Sequence, residues 1–169
     1  QPDLTALPGW LALDERSRSR VLDAAFNYLT IGDPGDAEWL GQSVHHYPAA
    51  AGYRAFRLLF KLQPQCLDTL GTNVWEKWSA SILNYSSQHS DGDDDLGLEL
   101  VSIVHRRAPN ALLRALDALI DKEDREHKTV FLTKKLTKAW DSDLASAMVR
   151  KIEEETLAPG TVGILLQEL

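Results

Sequence analysis

Apolar residues recur at three- and four-residue spacing along almost the whole chain, and nowhere do they alternate with polar ones over the length of a strand. That pattern constrains the fold more than any other feature, because side chains so spaced share one side of an α-helix. The spacing therefore predicts an all-α chain. In "LDERSRSRVLDAAFNYL", Asp14 stands where a helix cap belongs, and Val21, Leu22, Ala25, Phe26 and Leu29 form one stripe. Gly32, Pro34 and Gly35 then break the helix. From about Pro48 to Leu62 the apolar side chains Tyr53, Phe56, Leu59, Phe60 and Leu62 cover most of the girth. Arg54, Arg57 and Lys61 keep to one narrow stripe. Such a helix belongs inside, flanked by neighbours.

Thr72 is placed to cap a helix bearing Val74, Trp75, Trp78, Ile82 and Tyr85. The polar stretch "SSQHSDGDDD" follows, with Asp93 or Asp94 as the next cap, and then a helix with Leu96, Leu100, Val101, Ile103 and Val104. In "PNALLRALDALIDKED", Leu112, Leu113, Leu116, Leu119 and Ile120 match the helical template at each position. A further helix is predicted with Val130, Phe131, Leu132, Leu136 and Trp140. Another is predicted behind Ser142 or Asp143, with Leu144, Ala147, Met148 and Ile152 inward and Glu153, Glu154 and Glu155 in water. Pro159 opens the last helix, where Val162, Leu165, Leu166 and Leu169 share a side.

Every second long helix starts roughly 32 to 36 residues after the last, near the pair period of helical solenoids. The expected architecture is one domain over residues 1–169, built as stacked antiparallel helical hairpins in a HEAT-like α-solenoid; the alternative is an irregular helical bundle. An apolar stripe running to Leu169, and Gln1 in place of a start methionine, lead us to expect a piece of a longer protein.

Composition narrows the function classes. A hydrophobic share of 44% with 25% charged residues fits a globular chain and excludes a disordered one. Net charge is −7, which disfavours a broad grip on nucleic acid, since that rests on clustered Lys and Arg. No apolar run approaches the roughly 18 residues that span a bilayer. Cys66 is the single cysteine and sits among Leu62, Leu67 and Leu70. A small buried thiol in a reducing compartment, the cytoplasm, is the expectation.

No lysine follows a glycine, so the phosphate-binding loop pattern is absent; H-E-x-x-H and C-x-x-C are absent too. In "GQSVHHY", Ser43 with His45 and His46 has the residue types of a nucleophile and its base. The elbow pattern, however, needs a glycine where His45 stands. A packing loop is the plainer reading. Asp91, Gly92, Asp93, Asp94 and Asp95 fit no register of a calcium loop and read as helix-capping, solubilising residues. Lys134, Lys135 and Lys138 share one side of their predicted helix, with Lys128 nearby; a phosphate-binding patch is conceivable, solvated lysines plainer. Trp10, Trp39, Trp75, Trp78 and Trp140 lie in apolar stripes or at helix ends, which favours packing over partner anchoring.

The phrases "LPGWLALDERSRSRVLDAAFNYL", "EWLG", "GYRAFRLL", "VWEKW", "APNALLRALDALIDKED", "LTKAWDSDL" and "PGTVGILLQEL" occur here in order. The series resembles the helical-repeat arm of large bacterial signal-transduction NTPases of the NACHT-containing class. The resemblance implies a region that recognises a trigger, often in defence against phage, with Leu112, Leu113, Leu116, Leu119, Trp75, Trp78 and Trp140 stacking hairpins. It transfers no nucleotide site, because that motif is not among these residues.

The expectation is thus a non-catalytic scaffold or sensor segment contacting a protein partner or adjacent domains, with no catalytic, cofactor or metal residue assigned. One rival is a small all-α enzyme drawing on His45 and His46. Another is a helical nucleic-acid binder, which requires Arg16, Arg18, Arg20, Arg54, Arg57 and the lysines to converge.

Overall fold

Prolines open five of the helices, at Pro8, Pro48, Pro64, Pro109 and Pro159, where a missing N–H costs nothing because the first turn has no intrahelical partner for it. The computed structural model describes residues 3–41, 45–86, 94–131, 134–154 and 156–169. Among these there are helices and turns and no strand, so the all-α expectation holds. A 3-10 turn at Leu4–Ala6 precedes α1 (Pro8–Leu11) and α2 (Glu15–Ile31), and a second, Ala37–Trp39, leads to α3 (Tyr47–Leu62). Then come α4 (Pro64–Asp68), α5 (Thr72–Tyr85), α6 (Asp94–Arg107), α7 (Pro109–His127), α8 (Ser142–Glu153) and α9 (Pro159–Glu168).

The inner helix is α3, as its apolar girth requires: it packs on α2, α4, α5 and α6. Ala49, Ala50 and Gly52 are small residues buried along it, and Trp78 of α5 lies directly over Gly52. Phe56 meets Trp75 with ring centroids 4.9 Å apart. Both tryptophans are fully buried, and Trp39 nearly so; Trp10 and Trp140 pack on the core from its edge. The packing reading of the tryptophans is thereby supported.

Several helix ends are completed from across the fold. The Trp78 indole N–H donates to the Leu29 carbonyl at 2.8 Å, and the Lys77 ammonium to those of Thr30 and Gly32 at 3.0 and 2.7 Å. Helix α5 thus closes the C-terminal end of α2, whose last carbonyls lack intrahelical partners. At α2's other end Asp14 accepts the Ser17 N–H at 2.7 Å, as expected. Two expected caps move by one or two residues: Gly71 precedes α5, with Thr72 already helical, and Asp141 caps α8 by accepting from Asp143 and Leu144. The carboxylate of Asp141 also meets His105 Nε2 at 2.6 Å, fastening α8 to the end of α6.

Among the described residues of 128–140, the predicted helix does not form. Helix α7 runs on to His127 and is ended by Lys128 in the left-handed region, φ 57°. The N–H of Phe131 then goes to the Glu123 carboxylate at 2.7 Å instead of to a carbonyl one turn back. Residues 134–139 are turns. Leu132 lies outside the described residues. Val130 and Leu136 are buried all the same, whereas Phe131 is exposed.

Two charged side chains hold the C-terminal helices. Lys151, only 5% exposed, is met by Asp117 at 3.2 Å, Asp121 at 2.7 Å and Glu154 at 2.8 Å, joining α8 to α7. Glu154 therefore serves an ion pair, Glu153 is exposed, and Glu155 lies outside the described residues. Asp124, near the end of α7, accepts the Ala158 N–H at 2.9 Å and the buried Thr161 hydroxyl at 2.6 Å, so it caps α9 from another helix.

The hydrogen bond from Thr161 holds the Asp124 carboxyl below the usual carboxylate range. A depressed folded-state pKa stabilises the fold above the unfolded value of 3.8, and this is lost as pH falls through the folded value. Asp124→Ala should cost about 1–2 kcal/mol, the usual worth of a helix cap, and speed amide exchange in α9 far more than in α5. Taking the unaltered chain down through the folded value, which lies below 3.8, should likewise lower the protection of α9 relative to that of α5. Hydrogen-exchange mass spectrometry by segment checks both; uniform acceleration across the chain would show that Asp124 is no local clasp.

Candidate functional site

Helix α4 is five residues long and stands as a ridge on α3, with a groove on each side. Its position follows from Gln63 and Pro64: the extended φ of −145° at Gln63 ends α3, and Pro64 starts a new turn at once. Leu67 points into the core and is 3% exposed, while Gln65 and Asp68 face out.

The groove between α2 and α4 has a volume of about 560 Å³. Leu22 and Phe26 give it an apolar side, and Asn27, Gln63 and Gln65 an amide-bearing one. Cys66 lies on this wall, half-buried, with its thiol donating to Gln63 Oε1 at 3.6 Å. The buried thiol expected from the surrounding leucines is thus only partly covered, because Cys66 faces the groove rather than the core that Leu67 enters.

The groove between α4 and α6 has a volume of about 430 Å³. Its apolar lining comes from Phe60, Leu67, Trp75 and Ile103, and its rim from Arg106 and Arg107 in the last turn of α6. Arg106 donates to the Ser102 hydroxyl at 2.7 Å, and Arg107 to the Asp68 carboxylate at 3.0 Å. Gln65 borders both grooves. Volumes of this order suit a side chain or short peptide segment.

A third recess, between the first 3-10 turn and α3, is closed by an ion pair. Asp3 meets Lys61 at 2.6 Å beside Arg54, Arg57 and Leu96. Burial works to raise the Asp3 pKa, but hydrogen bonds from Lys61 and Thr5 outweigh it and bring it to about 2. The stripe Arg54, Arg57 and Lys61 does line one side of α3, and it docks the N-terminal segment there.

Other sequence candidates are dispersed. His46 stacks on Trp39 at 5.3 Å, and its backbone N–H and carbonyl both meet the Tyr85 hydroxyl at 3.3 Å. His45 is exposed beside Tyr47 and Tyr85. Ser43 lies outside the described residues, as do Asp91, Gly92 and Asp93. Asp94 begins α6, and Asp95 pairs with Lys138 at 2.8 Å. His105 serves Asp141, and His127 lies by Glu126 and Phe131, so these histidines occupy three separate places. Among the described residues no group of three His, Cys, Asp or Glu side chains is placed to hold a metal ion. No described helix is long and apolar enough to cross a membrane.

The lysines do not share a face, because the helix that would align them is missing. Lys134 is exposed, and Lys138 pairs with Asp95 and Glu99, each at 2.8 Å. Lys135 is buried, donating to the Asn84 carbonyl at 3.1 Å. Burial pushes its pKa down against the pull of Glu123, while burial pushes Glu123 up. The solvated-lysine reading is therefore wrong for Lys135. Of the arginines, Arg18 lies over Trp10 at 5.8 Å and donates to the Leu11 carbonyl, and Arg57 lies over Tyr53 at 5.9 Å.

Reading the sequence did not single out Arg106 and Arg107; as the basic last turn of α6 they have a ready explanation in the helix dipole. Their meeting with Phe60 and α4 depends on where three other helices lie. Comparison with known protein families, with curated proteins and with solved structures gives no match to this chain.

Proposed function

We propose that this chain is a non-catalytic helical scaffold segment of stacked antiparallel hairpins that makes protein–protein or interdomain contact, as the resemblance to helical-repeat arms implies. The observation that carries this reading is the pair of adjoining grooves flanking α4, apolar within and polar at the edge. Contact sites of proteins have that make-up. Two further features support it. Packing joins helices near one another in the chain, α2 with α3, α3 with α5 and α6, α5 with α6 and α7, α7 with α8 and α8 with α9, as a stack of hairpins would require. And the strongly placed ionic side chains Lys77, Asp124, Asp141 and Lys151 fasten helix to helix.

A photo-crosslinking amino acid at Gln65, exposed between the grooves, tests the reading in cells that naturally make the protein. A discrete protein adduct is expected from Gln65, and a much weaker one from the same probe at exposed Arg125 on α7. Equal labelling from both positions, or none from Gln65, would reject it.

A further inference from the structure

We infer that the groove between α4 and α6 takes an acidic peptide segment that carries an apolar anchor; this names the partner's chemistry and rests on the contact role proposed above. The floor supplies the first half of the argument. Phe60 and Ile103 are half-buried and packed on the core, with Leu67 and Trp75 buried beneath, so an entering apolar side chain loses water without displacing a core residue. Two guanidinium groups on one rim supply the second half. Asp68, which pairs with Arg107, also lines this groove, so on a chain of net charge −7 the rim carries one positive charge in excess, from two arginines against one aspartate.

The arginines are held for this use. Each guanidinium has five N–H donors in a rigid fork. Arg106 commits a donor to Ser102 and Arg107 one to Asp68, and each guanidinium keeps further donors for a carboxylate. The Arg107–Asp68 pair is solvent-exposed, with Asp68 76% exposed, so an incoming carboxylate can replace Asp68 at little cost. A role limited to complementing the α6 dipole needs the charge alone and is indifferent to what lies in the groove. Anchor plus carboxylates is the combination that uses both halves.

Three fluorescein-labelled synthetic peptides make the test: a Leu-Trp core flanked by Asp and Glu, the same core flanked by Lys, and the acidic flanks around an Ala-Ala core. Fluorescence anisotropy on the whole chain should show the first binding at least about tenfold more tightly than either of the others, and weakening as salt is added. Arg106→Glu with Arg107→Glu should lower its affinity about tenfold or more, as loss of charge-assisted bonds does. Arg106→Gln with Arg107→Gln, milder for folding, should give an intermediate loss at unchanged Tm. Equal binding of the acidic and lysine-flanked peptides, indifference to the core, or an unaltered affinity in the Gln pair would overturn the inference. So would stronger binding of a single-stranded oligonucleotide. If Gln65 crosslinks a protein while the acidic peptide does not bind, the contact role stands and this choice of partner fails. If both experiments are negative, both fail.

Discussion

Leu116→Asp is expected to destabilise the chain by more than about 4 kcal/mol, the range of an unpaired charge forced into a core. Leu116 is 2% exposed on α7, in the stripe with Leu112, Leu119 and Ile120, and α7 packs on α5 and α6. The side chain has no route to water that avoids opening that contact. Reversible urea unfolding followed by circular dichroism measures the loss. A midpoint within experimental error of the parent chain would mean that the phasing of α7 is wrong.

Gly52→Ala should cost about 3 kcal/mol, towards the upper end of overpacking effects. In an open helix the same change gains about 1 kcal/mol from propensity, so the sign itself is informative. The difference is Trp78: a Cβ on Gly52 would overlap three carbons of its six-membered ring. Trp78 is fully buried and its N–H is held by the Leu29 carbonyl at 2.8 Å, so the ring cannot swing aside. Relief requires α3 and α5 to separate, which also releases α2. Gly163→Ala on α9 is the control, since nothing lies within 4 Å of its added Cβ; it should be neutral or slightly stabilising. Urea denaturation of both variants checks the pair, and a Gly52→Ala chain as stable as its parent would mean that α3 and α5 do not approach as described.

The grooves and the fold differ in how much of them the residues announce. Helix existence was legible because the stripes are long: Val74, Trp75, Trp78, Ile82 and Tyr85 are all buried on α5, as their spacing predicts. The same reasoning failed at the described residues of 128–140, where Val130 and Leu136 do enter the core but Val130 from irregular chain and Leu136 from turns. Spacing alone cannot separate these cases, because Glu123 taking the Phe131 N–H competes with the helical bond and comes from the preceding helix. The groove between α4 and α6 draws on residues from Phe60 to Arg107 in four helices. No local pattern joins them.

What the sequence determined by itself was that the long stripes make helices and, on α5 and α7, which side turns inward, since both depend on interactions a few residues apart; at other stripes Val21, Leu62, Leu166 and Leu169 remain exposed. Only the tertiary structure decided which polar groups share the interior. Lys135 and Lys138 are three residues apart and alike in charge, yet one is buried against Asn84 and the other is paired with Asp95 and Glu99. Asp124 caps a helix more than thirty residues further along. The energy of a charge depends on what stands within a few ångströms of it, and that neighbourhood exists only once the helices have packed.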